Sequence, residues 1–216
     1  MMKLVVFDMD GTLLEGRTIL FLSRALGFED EAREILAGRY SKKERSRLLA
    51  GFLRGVSAAE LMDVVRGISL TSGAEETIAE LKKLGHKTAI ITDSYDIVAE
   101  YFRNLLGVDR AFGIKLIVKD GIVTGEIEMP ANCQNPDFCG DPSICKSEIL
   151  RSLAAEYGIP LSETVAVGDN LVDLCMIRDA GVGIAFDPKA AEISEAADVV
   201  IREKDLRLVL RNIKVI

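Results

Sequence analysis

Four apolar positions near the start of the chain, Leu4-Val5-Val6-Phe7, run directly into Asp8-Met9-Asp10-Gly11-Thr12. An apolar run that short, closed by an Asp-Gly turn, predicts a strand buried on both faces, as in a parallel sheet. The period then changes. Segments 18–26, 29–37, 42–53 and 58–68 place apolar residues at helical spacing with Lys, Arg and Glu between them, and no strand-like run interrupts them. From Gly73 onward short apolar runs alternate with helical patterns. Helices are predicted over 75–84, 97–106, 146–157, 171–180 and 206–213, the first two stopped by Gly85 and Gly107. Strands are predicted over 87–92, 164–167, 182–186 and 199–201. Asp120-Gly121 divides the β-rich stretch 116–125 and signals a hairpin, and 130–143 is turn-rich. The alternation predicts an α/β fold with a parallel, helix-covered sheet. Residues 1–14 and 73–216 form its core domain and 15–72 a helical domain inserted after the first strand.

Three predicted strands end in a polar residue: Asp8 after VVF, Thr92 after AII, and Asp169 after VAVG. In a parallel sheet such ends share one edge, where open α/β sheets bind their ligands. Lys146 precedes Ile149 and Leu150 by three and four residues, so it lies on the buried stripe of its helix, in the first turn. A lysine on that face calls for carboxylate partners or an anion. Asp169 and Asp173 are four apart and share a helix face. With Asp8 and Asp10 they make an oxygen-only donor set, suited to hard Mg²⁺. The chemistry that joins these parts is phosphoryl transfer through a carboxylate nucleophile.

Composition narrows the partners. A formal net charge of −7 over 216 residues argues against nucleic acid or an anionic membrane. No apolar run has the length of a membrane span, and the N-terminal run is too short for a signal peptide. Four cysteines without an export signal suggest a reducing, cytoplasmic setting. The single histidine, His86, precedes an apolar run and is expected to be structural. With one histidine, multi-histidine metal sites are excluded. Cys133, Cys139 and Cys145 are spaced six apart just ahead of Lys146. That is not the tight spacing of structural zinc sites, and a metal set, a disulfide and unpaired thiols all stay open. Cys175 is expected in a helix core.

DMDGT, the strand end at Thr92, Lys146 and GDNLVD resemble the four motifs of the haloacid dehalogenase superfamily. Residues 72–78, LIVKDGIVTGEIE, ETVAVGD and EKDLRLVLR are similar, in order and spacing, to phosphoserine phosphatases. The resemblance implies a Rossmann-like core with a small helical cap. It makes Asp8 the nucleophile and Asp10 the general acid and base. Mg²⁺ would be held by Asp8, the backbone carbonyl of Asp10 and Asp169, with Asp173 in support. Gly11, Thr92, Asp93 and Lys146 would surround the phosphoryl group. Departures bear on the substrate. Arg17 stands where those enzymes carry a glutamate for the substrate ammonium. Their cap arginine aligns with Leu49, with Arg47 nearby, and Asn170 and Val172 fall in the fourth motif. Thr92-Asp93-Ser94 is closer to the phosphoserine:homoserine phosphotransferase. The implied activity is Mg²⁺-dependent hydrolysis of a small phosphorylated metabolite by a monomer or homodimer. Arg17 suggests a substrate with an extra anionic or hydroxyl group. Transfer to a second alcohol, or phosphate-ester binding without turnover, are the alternatives.

Overall fold

The computed structural model describes residues 2–130, 133, 136–140 and 142–214. The chain runs β1 (Leu4–Phe7), α1 (Thr18–Leu26), α2 (Glu29–Ala37), α3 (Lys42–Gly51), α4 (Ala58–Arg66), α5 (Ala74–Lys83), β2 (Lys87–Tyr95), α6 (Asp96–Leu106), β3 (Arg110–Lys119) and β4 (Ile122–Glu128). It continues through α7 (Pro136–Cys139), α8 (Lys146–Glu156), β5 (Thr164–Gly168), α9 (Leu174–Asp179), β6 (Val182–Phe186), α10 (Ala191–Ala196), β7 (Val199–Ile201) and α11 (Arg207–Lys214). Among the described residues one sheet forms in the order β4-β3-β2-β1-β5-β6-β7. Every neighbouring pair is parallel except the β3–β4 hairpin.

β1 sits at the point where the strand order reverses, between β2 and β5. All four of its residues are fully buried. Val5 and Phe7 join the apolar cluster on one face, with Ile78 and Val98, while Leu4 and Val6 join the other, with Leu150 and Leu153. This is the two-residue period of a strand covered on both sides. Each such side chain contributes about 1.5–3 kcal/mol through removal from water. Register matters as much as burial. Phe7 pairs with Ile90 on one side and Val167 on the other, and the Asp8 N–H donates to the Val167 carbonyl at 2.8 Å. The carboxyl ends of β1 and β5 are therefore level.

Helices α1–α4 fill the stretch between β1 and α5. The chain leaves and returns side by side: Glu15 N–H donates to the Ser69 carbonyl and Thr71 N–H to the Leu13 carbonyl, each at 2.9 Å. Ser41 and Glu44 form a reciprocal capping box at the start of α3. Phe28, Ile35, Leu53 and Leu61 belong to the same apolar cluster as Phe7. Residues 55–58 run beside β4: Gly55 N–H donates to the Val123 carbonyl at 2.9 Å, and Val123 N–H to the Val56 carbonyl at 2.8 Å.

Several boundaries differ from expectation, each for a local reason. β2 continues past Thr92 to Tyr95, with a shift of register against β3 between Ile91 and Tyr95, so Thr92 lies inside the strand. β3 begins at Arg110, where it pairs with β2 ahead of the hairpin. The stretch expected as one helix from Leu171 opens instead as a tight turn over Leu171–Asp173 before α9. Asp173 turns its carboxylate back to accept the N–H groups of Asp169 and Asn170, each at 3.0 Å, and this tightens the turn. His86 accepts the Lys3 N–H at Nδ1, at 3.1 Å, ahead of β2.

Candidate active site

Asp8 stands one residue beyond β1 and Asp169 one beyond β5, so the level strand ends bring the two together. Helix α8 begins with Lys146, whose side chain is fully buried. Its ammonium donates to Asp8 Oδ1 and to Asp173 Oδ1, at 2.5 Å each. Carboxylate oxygens of Asp8, Asp169 and Asp173 lie within 4.8 Å of one another. Asp10 takes a different post. It accepts the Thr18 hydroxyl at 2.5 Å and the Thr18 N–H at 3.0 Å, which ties it to the first turn of α1.

Burial sets the electrostatics. Desolvation, then Asp173 and Asp169, pushes the Asp8 carboxyl well above the ordinary range, with Lys146 pulling the other way. Burial also drives Asp169 up to about 7, with Asp173 adding to it. Asp10 is raised to about 6 by burial, against the lowering effect of its Thr18 hydrogen bonds. Burial works against the Lys146 charge, yet Asp173 and Asp8 outweigh it and hold the ammonium above the ordinary lysine value. Asp8, Asp169 and Asp173 thus form a cluster of carboxyl groups whose mutual repulsion Lys146 offsets in part.

The residues present suit a hard divalent cation. Every donor is oxygen, matching Mg²⁺ rather than a thiophilic metal. Gly11, at φ +88°, keeps the space beside Asp169 open, because a Cβ there would collide with the Asp169 carboxylate. Gly168 allows a second close approach: a Cβ would lie 2.5 Å from Cβ and Cγ of Asp173.

The carboxylates open into a cavity of about 340 Å³ whose walls include Asp8, Asp10, Arg17, Asp169 and Lys189. It shares Asp10, Arg17, Asp93 and Asn170 with a larger cleft of about 530 Å³ that is lined by residues of α1, α2 and α3, Arg45 and Leu49 among them. Arg17 is close enough to Asp10 and Asp169 to lower both carboxyl pKa values. Of the residues read from sequence, Asp8, Asp10, Gly11, Arg17, Asp93, Lys146, Asp169 and Asn170 line one or both spaces. Asp173 lies behind them, against Lys146. Thr92 is fully buried and lines neither space, and its hydroxyl accepts the Ser94 N–H at 3.1 Å.

Arg47 does not reach the site. It is exposed on the outer face of α3, and Arg45 takes the inner position. Helical spacing carried that signal, since Arg45 and the buried Leu49 are four apart on one face, whereas Arg47 is not. Arg45 Nε is buried and has no hydrogen-bond partner among the described residues. Thr18, Ser94, Lys189 and Lys204 were also missed. Thr18 is eight residues from Asp10, and no local pattern announces that contact.

The comparisons with known proteins agree with this geometry. Residues 5–178 match the family model of the haloacid dehalogenase-like hydrolases. The chain belongs to that family. It is 37% identical over 216 residues to the phosphoserine phosphatase of Methanocaldococcus jannaschii, covering 98% of each chain. The phosphoserine phosphatase of Streptomyces coelicolor is 32% identical over 212 residues, and the chain spans 49% of that longer protein. Among solved structures, a phospho-aspartyl intermediate analogue of phosphoserine phosphatase superposes with a TM-score of 0.85 at 36% identity, covering 98% of this chain and 99% of that one. A substrate-bound phosphoserine phosphatase complex gives 0.85 at 35% identity, over 99% of both chains. The relatives place the chain among the phosphatases of the superfamily, phosphoserine phosphatase-like along nearly all of its length. No helix among the described residues is long and apolar enough to cross a membrane.

Proposed function

We propose that this chain is a Mg²⁺-dependent phosphomonoester hydrolase that works through an aspartyl-phosphate on Asp8, with residues 15–72 acting as a cap over the cleft. The observation that carries the reading is the Lys146 ammonium held between Asp8 and Asp173 beside Asp169 at the switch point of the sheet. A structural ion pair alone has no need of a third carboxylate or of a cleft.

Asp8 attacks phosphorus, and the bond to the ester oxygen breaks as an acyl phosphate forms. Asp10 gives its proton to the departing alkoxide. It then takes a proton from water as that water attacks phosphorus, releasing inorganic phosphate and restoring the Asp8 carboxylate. The raised Asp10 pKa suits both duties near neutrality. Lys146 favours the ionised form of Asp8 against burial and offsets phosphoryl charge as it develops. Asp8 and Asp169, with Asp173 in support, would hold Mg²⁺, which when bound would supply Lewis-acid stabilisation of the phosphoryl oxygens.

The substrate is a small ester bearing a second anionic group. Arg45, with its unpartnered Nε, and Arg17 provide positive charge in the lining of the larger cleft. Phosphoserine qualifies, and its phosphatases are the relatives this chain matches, yet Arg17 offers nothing to an ammonium. Phosphate release should be measured with Mg²⁺ on phosphoserine, on phosphoglycolate and phospholactate (no ammonium), and on phosphoethanolamine (no carboxylate). Turnover of the first three, with the last poorest and all lost in Asp8→Asn, is expected. Equal turnover of all four would overturn the assignment of the second anionic group. Activity undiminished in Asp8→Asn would overturn the mechanism.

A further inference from the structure

Three thiols converge on one point outside the carboxylate site. Cys145 Sγ lies 3.0 Å from Cys133 Sγ and 3.5 Å from Cys139 Sγ, and all three sulfurs are within 4.8 Å of one another. They come from the loop after β4, the end of α7 and the residue capping α8. We propose that Cys133, Cys139 and Cys145 bind a thiophilic divalent ion, Zn²⁺, and that this ion fastens the start of α8.

The number of sulfurs, their separation in space and their position support the assignment. A disulfide uses two sulfurs, and it leaves a third crowded against the pair with no role. Tetrahedral zinc with bonds of about 2.3 Å sets its sulfur ligands roughly 3.8 Å apart, a little wider than the 3.0 and 3.5 Å found here and within the 4.8 Å that bounds all three. Such a site needs a fourth donor. Cys175, which lies outside the 4.8 Å group, is buried on α9, and α9 packs against the α7 helix that carries Cys139. Burial, then the neighbouring Cys133 thiol, holds Cys139 and Cys145 above the ordinary thiol range, Cys145 at about 11, and Cys175 contributes to both shifts. Without metal Cys139 and Cys145 keep their protons and oxidise slowly. A bound ion displaces those protons to solvent.

Cys145 is the N-terminal cap of α8, and Lys146 is its first residue. Ser143 and Ile144, just ahead, line the larger cleft, and Ser143 Oγ meets Ser46 Oγ of α3 at 2.9 Å. An ion on the three sulfurs would therefore hold both the backbone that delivers Lys146 and the rim on which α3 rests.

The test uses the full chain, stripped with a chelator under reducing conditions and titrated with Co²⁺ in excess Mg²⁺. One equivalent of Co²⁺ should give thiolate-to-cobalt charge-transfer absorption with the intense visible bands of a tetrahedral site, and Zn²⁺ should bleach both. The signal should survive in Asp8→Asn and Asp169→Asn but vanish in Cys133→Ser and Cys139→Ser. Cys175→Ser should weaken Zn²⁺ at least tenfold, and unchanged affinity would overturn the fourth-donor assignment. Should the serine variants fail to fold, alkylation of the unmodified chain decides: Zn²⁺ should shield Cys133, Cys139 and Cys145 at least tenfold. Absence of the charge-transfer bands, equal alkylation with and without Zn²⁺, or a Cys133–Cys145 disulfide in protein purified under reducing conditions would overturn the site.

Discussion

Lys146 donates to Asp173 at 2.5 Å, and neither side chain is exposed to solvent. The same ammonium reaches Asp8, so one positive charge stands between two buried carboxylates. Desolvation of three charged groups is offset by this shared arrangement and by the two backbone N–H groups that Asp173 accepts. Removing the lysine leaves the acids facing each other without compensation. Lys146→Met should destabilise the metal-free chain by about 3–5 kcal/mol, lowering the melting temperature by about 6–20 °C. Calorimetry checks the first figure, and phosphate release should fall to background.

The raised carboxyl groups predict an inverted pH dependence for the metal-free chain. Asp10 at about 6 and Asp169 at about 7 keep protons that the unfolded chain, near 3.8, has already lost. The folded state binds more protons through that window, so stability falls as pH rises from about 4 to about 7. Mg²⁺ favours the ionised carboxylates. Its stabilising effect, about 2.7 kcal/mol at a hundredfold excess over Kd, should be larger at pH 8 than at pH 6. Thermal scans with Mg²⁺ and with a chelator test this, and equal gains at both pH values would contradict it.

Thr18 tunes Asp10. Its hydroxyl and N–H both favour the ionised carboxylate and hold the Asp10 pKa below what burial alone would set. In Thr18→Val the hydroxyl bond is lost and the N–H bond stays. The limb of the pH–kcat profile that belongs to Asp10 should move to higher pH, while the Mg²⁺ requirement stays the same. A profile that does not move would mean that another group sets this limb.

The two cap arginines should behave differently. Arg45 lines the cleft and Arg47 faces water. A charge-assisted hydrogen bond is worth about 1.5–3 kcal/mol, so Arg45→Met should raise KM about tenfold to a hundredfold for carboxylate-bearing esters. Arg47→Met should change neither KM nor kcat. Steady-state kinetics on the two variants separates them.

Gly11→Ala adds a methyl group where the Asp169 carboxylate sits, at a φ of +88° that side chains rarely adopt. The strain costs about 1–3 kcal/mol, and Asp169 must retreat. The Mg²⁺ concentration for half-maximal activity should rise by about tenfold or more. Isothermal titration with Mg²⁺ would show the same loss directly.

Strand β1, its two-sided burial and the polar residues beyond the strand ends were legible because a central parallel strand leaves a short, unbroken apolar run. Lys146 was legible because a charge on an apolar helical stripe demands partners. The partner Asp173 was harder to see, since its carboxylate turns back into its own loop and breaks the helix that the spacing around Leu171 predicts. Arg47 is the arginine near the aligned position Leu49, whereas the helical period that buries Leu49 points to Arg45. The meeting of Cys133, Cys139 and Cys145 had no sequence signal beyond even spacing, because no helical or strand period links the three positions. The contacts between 55–58 and β4 are backbone to backbone, and no side-chain pattern encodes them.

Those backbone contacts also bear on how the molecule avoids sticking to its own copies. β4 is the last strand on its side of the sheet, and an uncovered last strand invites another chain to add itself. Here Val123 has both its N–H and its carbonyl engaged by residues 55 and 56, and the Gly121 carbonyl accepts the N–H of Ala58 at 2.8 Å. Residues 55–58, which join the helices above the cleft, thus cover the start of that edge as well. A shortened chain lacking them would lose that shield together with its substrate contacts, and insoluble material from such a deletion would say nothing about catalysis.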